Sequence, residues 1–390
     1  SLPFDAEQTV KPFGPGDEEY QAGDSTEFQA GQPTGVTVEL TMPGPDTGPQ
    51  QSMVSKATVL MPEGIALSAG VGSGDANLSD CTDAQFGYLP GKNPAFSDKA
   101  PTCPTGSKIG TVSFDSPLVG RLDGTVYLGT PTKEAKLRSL IIVSKPEKGL
   151  NIKLLGKTVP DPKTGQLTTI FDDLPRQPFT SFKLNFRSGL RSVLKAPDGC
   201  TAPGQEFKAP GYLESFNGKK LTLESGITVG GCKPRTFAPT LAINANPIDA
   251  GADTVFTTTI TRSDTDDRLD RQEVSLPAGL LGRIAGVKAC PIADARVGNC
   301  GIAEHTCNHA AHLVGRRAGN CADESQIGDV QTKAGTGPEA GLAELAGPVY
   351  LTEPFDGGVA GLAIIVPAKV GPVDLGKVVV IGKMAARKDV

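Results

Sequence analysis

The chain has 390 residues, of which 38% are hydrophobic, 5% aromatic and none Trp, and it carries a formal net charge of −5. Cores must therefore be built from Val, Ile, Leu and a few Phe; no Lys/Arg-rich run leaves a footprint for nucleic acid, and no run of about 18 apolar residues offers a transmembrane segment. The 48 Gly and 32 Pro follow no collagen period and suit many short strands joined by turns.

In chain order, Gly35 to Met42 alternates Val36, Val38 and Leu40 with Thr37, Glu39 and Thr41, the period of a half-buried strand. Pro43-Gly44-Pro45-Asp46 then marks a turn. Ser139 to Val143 is a short apolar run suited to a buried strand. Asp161-Pro162-Lys163-Thr164-Gly165 is a second turn, Lys183 to Phe186 an alternating strand, and Asn217-Gly218 a third turn. Val255 to Ile260 is again β-branched and alternating. From about Cys290 to Ala318 the chain is Ala-rich and leans helical. Leu362 to Val366 and Val378 to Ile381 read as buried strands. Strands about every 8–12 residues predict an all-β protein of tandem immunoglobulin-like β-sandwich modules, with a short helical or loop insert near 300–320. Gly70-Val71-Gly72-Ser73-Gly74 and Gly335-Thr336-Gly337 lack a surrounding βαβ pattern and read as loops.

Internal duplication organises these elements. Ser107-Lys108-Ile109-Gly110-Thr111-Val112 recurs as Ser325-Gln326-Ile327-Gly328-Asp329-Val330. Leu122-Asp123-Gly124-Thr125-Val126-Tyr127-Leu128 recurs as Leu345-Ala346-Gly347-Pro348-Val349-Tyr350-Leu351. Upstream, the Ala30-Gly31 and Leu60-Met61-Pro62 segments match Ala250-Gly251 and Leu276-Pro277 loosely. The expected organisation is 1–120 and 121–200 as two β modules of a first copy. Residues 201–340 are then the first module of a second copy, with a Cys/His insert, and 341–390 its second module. The sequence stops where the first copy reaches about Pro160, so the second copy is expected to lack its last strands and to carry an open sheet edge. The start at Ser1, without Met or a leader, fits a processed N-terminus and a trimmed one equally.

Eight cysteines and no C-x-x-C point to disulfides in an oxidising compartment rather than a zinc ribbon. The repeat register pairs Cys81 with Cys103 and Cys290 with Cys321, and leaves Cys200 with Cys232 at the junction. Cys300 and Cys307 then bridge each other, or the second copy pairs Cys290–Cys300 and Cys307–Cys321.

Several motifs occur together: Phe237-Ala238-Pro239, Thr261-Arg262-Ser263-Asp264, Leu276-Pro277, Asp161-Pro162-Lys163-Thr164-Gly165-Gln166-Leu167 and Asp172-Asp173-Leu174-Pro175. Gly361-Leu362, Val366-Pro367-Ala368 and Gly371-Pro372-Val373-Asp374-Leu375-Gly376 complete the set. In these the chain resembles the large secreted repeat proteins of actinobacteria. The resemblance covers nearly the whole chain and implies an extracellular, repetitive, surface or adhesive role. It carries over no catalytic residue. The insert between Cys300 and Cys321 and the absent final strands depart from the pattern.

Two clusters are candidate metal sites. His305, His309 and His312 share one face if helical, and with Glu304 nearby could hold Zn²⁺ or Cu²⁺; the bland alternative is a disulfide-closed surface loop. Asp264, Asp266 and Asp270, with Asp267, offer hard oxygens for Ca²⁺, or a solvated turn paired to Arg262 and Arg268. No nucleophile elbow, Walker A or kinase set appears, so the chain is expected not to be an enzyme. The leading expectation is a secreted structural or adhesive cell-surface protein. Its partners are other surface components or its own copies, joined head to tail into a filament in which residues 1–29 of a neighbour complete the open edge. A metal- or carbohydrate-binding module is the alternative, and neither nucleic acid nor a membrane span is expected.

Overall fold

The computed structural model describes residues 2–386 apart from 15–20, 69–77, 162–164, 190–191, 264–265, 297–320 and 335–342, and single positions 23, 26, 47, 49, 94, 146, 148, 203, 268, 281 and 283. Strands dominate. The first are β1 (Glu7–Phe13), β2 (Glu27–Gln29), β3 (Gly35–Thr41), β4 (Val54–Leu60) and β5 (Ala66–Leu67). After a short helix α1 (Asp83–Phe86) come β6 (Lys108–Ser116), β7 (Gly120–Gly129), β8 (Leu137–Lys145), β9 (Leu150–Pro160), β10 (Leu167–Phe171), β11 (Ser181–Phe186), β12 (Leu194–Lys195) and β13 (Gly199–Cys200). β14 (Glu206–Lys208), β15 (Gly211–Ser215), β16 (Lys220–Leu223), β17 (Gly226–Gly230) and β18 (Lys233–Pro234) follow. The last part holds β19 (Thr240–Asn246), β20 (Val255–Thr261), a second short helix α2 (Ile292–Arg296), β21 (Gln326–Ala334), β22 (Ala343–Thr352), β23 (Ala360–Val370) and β24 (Val373–Met384).

Eleven strands form one antiparallel sheet in the order β1-β3-β11-β6-β7-β8-β9-β10-β4-β15-β16. It is barrel-like: alternate residues from its strands enter a single core that includes Val36, Val112, Leu122, Val126, Ile141 and Leu213. The three-stranded sheet β14-β17-β2 lies against β1, where the Gln8 side-chain amide donates to the Ala209 carbonyl at 2.9 Å and to the Ser225 hydroxyl at 3.0 Å. In place of separate two-sheet sandwiches, one large sheet curls on itself. The boundary expected at 120/121 falls at the start of β7, in the β6–β7 hairpin. Alternation of apolar residues shows that one face of each strand is buried, but not whether a second sheet or the same sheet covers it.

β8 is buried on both faces. Ile141 and Val143 point into the core, and Leu140 and Ile142 point outward under a flap closed by Cys81–Cys103. The flap begins with α1, where Thr82 and Gln85 form a capping box and Gly87 ends the helix at φ 79°. Phe86 seats its ring on Tyr127, Leu140 and Ile142. Each such fully covered side chain contributes about 1.5–3 kcal/mol. Lys153 of β9 fastens the flap, donating to the carbonyls of Phe86, Ser97 and Lys99 at 2.8, 2.9 and 2.6 Å. Arg138 pairs with Asp83 at 2.7 Å beside it.

The disulfides Cys81–Cys103, Cys200–Cys232 and Cys290–Cys321 are formed, the pairing expected from the motif register. Cys300 and Cys307 lie outside the described residues, as do His305, His309, His312 and Asp264.

Candidate functional site

The second half of the chain contains two smaller sheets, the hairpin β19–β20 and the meander β21-β22-β23-β24. The meander shares its construction with β6–β9. Cys81 bridges Gly129 in parallel, and Cys290 bridges Thr352 in the same way. Single 3₁₀ turns, Thr105–Ser107 and Asp323–Ser325, precede β6 and β21. Both β6–β7 and β21–β22 carry an irregularity just before Gly110 or Gly328. A Cβ on Gly124 would lie 1.7 Å from the Ile142 carbonyl oxygen, and one on Gly347 would lie 2.0 Å from that of Ile365. The outer faces are covered alike: Cys81, Phe86, Cys103, Tyr127, Leu140 and Ile142 form one cluster, and Cys290, Ala295, Cys321, Tyr350, Ala363 and Ile365 the other. The paired strands correspond too. β3 and β20 are seven-residue strands, each after a glycine of positive φ, Gly31 (67°) or Gly251 (76°), and each paired along its length with an earlier seven-residue strand, β1 or β19.

The inner faces differ. Ile109 is 3% exposed while Ile327 is 45% exposed; Leu154 is 9% exposed while Val380 is 55%. Val378, Leu241 and Ile243 also stand exposed. In the first sheet β11 lies between β3 and β6, hydrogen-bonded to both, and β10 lies beside β9. Among the described residues, β20 pairs with β19 alone, β21 with β22 alone and β24 with β23 alone. The result is an apolar sheet face with free backbone edges, the arrangement that accepts an added strand. The segment expected from sequence to serve as donor is engaged elsewhere. Phe4, Val10 and Phe28 are buried in their own core, β1 pairs β3, and β2 pairs β17. Residues 4–13 and 27–29 therefore complete their own fold, because their apolar positions match the inner face beside them.

The acidic run resolves into a turn fastener. Asp266 is buried. Its carboxylate accepts from the Thr236 hydroxyl at 2.6 Å, the Ala238 N–H at 3.1 Å and the Ser263 N–H at 2.8 Å. These bonds, the Thr236 hydroxyl foremost and the Ser263 N–H next, hold its pKa down to about 2 against the opposing effect of burial. Asp267 pairs with Arg235 at 3.1 Å, and Asp270 is exposed. Among the described residues no three His, Cys, Asp or Glu side chains are grouped so as to hold a metal ion.

A cavity of about 70 Å³ is lined chiefly by apolar side chains such as Met61, Ile109, Leu128, Leu167 and Leu194, with Val373 of β24 among them. It is far smaller than the roughly 300–1,000 Å³ of sites for small-molecule ligands. Burial lowers the pKa of Lys153, Asp98 opposing. Its amine is nonetheless held by three carbonyls, a structural clamp that the sequence reading missed together with Arg138. The only signal was a basic residue inside or beside a strongly apolar strand.

Comparison with family models, curated proteins and solved structures finds no match to the chain. No helix among the described residues is long and apolar enough to cross a membrane.

Proposed function

We propose that the chain is an extracellular structural or adhesive protein of the cell surface, built from two copies of one disulfide-stapled β unit and joined to other surface polypeptides through its second copy. The observation that carries this reading is the inner face of β21–β24. Leu351 and Val366 are buried there, but Ile327, Val378 and Val380, at positions the first sheet covers, stand exposed beside strand edges that pair with nothing among the described residues. Three disulfides favour an oxidising compartment. The motif resemblance to secreted actinobacterial repeat proteins supports the same location. The role is assembly and not catalysis: the best-defined polar groups, Lys153 and Asp266, hold a flap and a turn.

Cross-linking with mass spectrometry on native cell-surface material tests the reading. Links from Lys333 in β21 and from Lys377 and Lys383 in β24 to another polypeptide are expected. A native protein that is monomeric, with β21–β24 making no intermolecular link, would overturn it.

A further inference from the structure

β21 keeps room beside it for a strand of one particular kind, and a glycine marks the place. In the first sheet Gly110 lies opposite Phe186 of β11. A Cβ there would meet the Asn185 carbonyl oxygen at 2.1 Å and the Phe186 Cα at 3.3 Å, so β11 can approach only because residue 110 has no side chain. Gly328 holds the same place in β21, after the same Ser-x-Ile. Among the described residues, a Cβ on Gly328 would meet only the Val349 Cβ, at 3.9 Å. Nothing described in this chain uses the space that Gly328 leaves open.

We infer that β20 and β21 together form an acceptor for one extended peptide segment of the β11 type, inserted antiparallel between them and in β11's register. This deepens the proposed assembly role and rests on it. The register follows from the first sheet, where Leu184 pairs with Val38 and Val112, and Asn185 with Thr37 and Thr111. Carried over through the shared motifs, an apolar residue sits between Thr258 and Val330, and the next residue sits between Thr257 and Asp329.

The chemistry of the occupant follows from these neighbours. Phe182, Leu184 and Phe186 of β11 are spaced by two and pack on the core, so the occupant carries three alternating apolar residues toward the partly exposed inner face. On the other face, Thr37 donates to the Asn185 side-chain oxygen at 2.8 Å, and the Asn185 amide donates to the Thr111 hydroxyl at 3.2 Å. Thr257 preserves the first partner, and the Asp329 carboxylate replaces the second. The occupant therefore places Asn, or a basic side chain able to donate to Asp329, next to its central apolar residue. A second copy of the open sheet packed face to face would cover the apolar side chains but would leave the Gly328 space unused.

The probe is a synthetic peptide of residues 179–188, carrying β11's own sequence, added to the full chain. Its binding should raise hydrogen-exchange protection in 255–261 and 326–334 and leave 35–41 and 108–116 unchanged. Gly328→Val should weaken binding at least tenfold while leaving the thermal unfolding of the unbound chain unchanged, because only one distant atom faces the new side chain. Two results overturn the inference and leave the assembly reading standing. One is equal binding of a scrambled peptide that is insensitive to Gly328→Val. The other is an unliganded chain that dimerises through β21–β24 and excludes the peptide. A monomeric chain that binds neither peptide, with β20 and β21 already protected, overturns both.

Discussion

The contrast between Leu154 and Val380 gives the sharpest test of the open face. Leu154 faces Ile141 across β8–β9, and Val380 faces Ile364 across β23–β24. The first site is 9% exposed and the second 55%. Leu154→Ala removes three methyl or methylene groups from a closed core and leaves a cavity, a loss of about 3 kcal/mol. Val380→Ala removes atoms already in water and should change stability by less than about 0.5 kcal/mol. The chain has two unlike halves and need not unfold in one step, so the assay is hydrogen exchange read by mass spectrometry, strand by strand. Leu154→Ala should speed exchange in β8 and β9 by about 150-fold, and Val380→Ala should change β23 and β24 by about twofold. A loss above about 2 kcal/mol in β23–β24 from Val380→Ala would show that the face is covered in the isolated chain, and the argument from exposure would fail.

Three further outcomes follow from single contacts. Lys153→Met leaves the carbonyls of Phe86, Ser97 and Lys99 without their donor; it should destabilise the flap by about 2–4 kcal/mol and expose 82–102 to limited proteolysis, with the β6–β9 amides still protected. Gly124→Ala forces a Cβ against the Ile142 carbonyl oxygen and should lower the unfolding midpoint by the equivalent of about 1–3 kcal/mol in a denaturant titration. Asp266 has a folded pKa of about 2 against an ordinary value of 3.8; its stabilisation is present above 3.8 and is lost as pH falls toward 2, so exchange in 240–261 should quicken over that window in the wild type and not in Asp266→Asn.

Strand positions were legible because alternation is a local signal. Gly35–Thr41, Lys183–Phe186 and Val255–Ile260 all fall on strands, and the turn at Asn217–Gly218 joins β15 to β16; of the turn expected at Asp161–Gly165, residues 162–164 lie outside the described residues. The continuous run Ser139–Val143 was correctly legible as a buried strand, but its second cover was not. That cover is the disulfide flap, whose Phe86 lies far away in sequence. Closure of the sheet was illegible for the same reason. Asp266 shows a different limit, since carboxylates spaced for a cation have the same spacing as carboxylates that accept turn N–H groups. Gly328 alone reads as any strand glycine, and its meaning appears only beside Gly110 with β11 packed against it.

The two flaps, finally, should part company under reduction. Chain entropy does not separate them. The loop of 22 residues closed by Cys81–Cys103 and that of 31 closed by Cys290–Cys321 are worth about 3.4 and 3.7 kcal/mol respectively. What differs is the packing that remains when the bond is cut. The first flap keeps the Phe86 ring, the Arg138–Asp83 pair and the three bonds of Lys153. The second has Ala295, Gly361 and Val379 at the corresponding places, and on the inner sheet face behind it Ile327, Val378 and Val380 stand exposed. Rising concentrations of a thiol reductant should therefore open cleavage in 291–296, at Arg296, well before any in 82–102. Simultaneous opening of both segments would mean that Lys153 and Phe86 contribute little, and that the covalent bond alone holds each flap to its sheet.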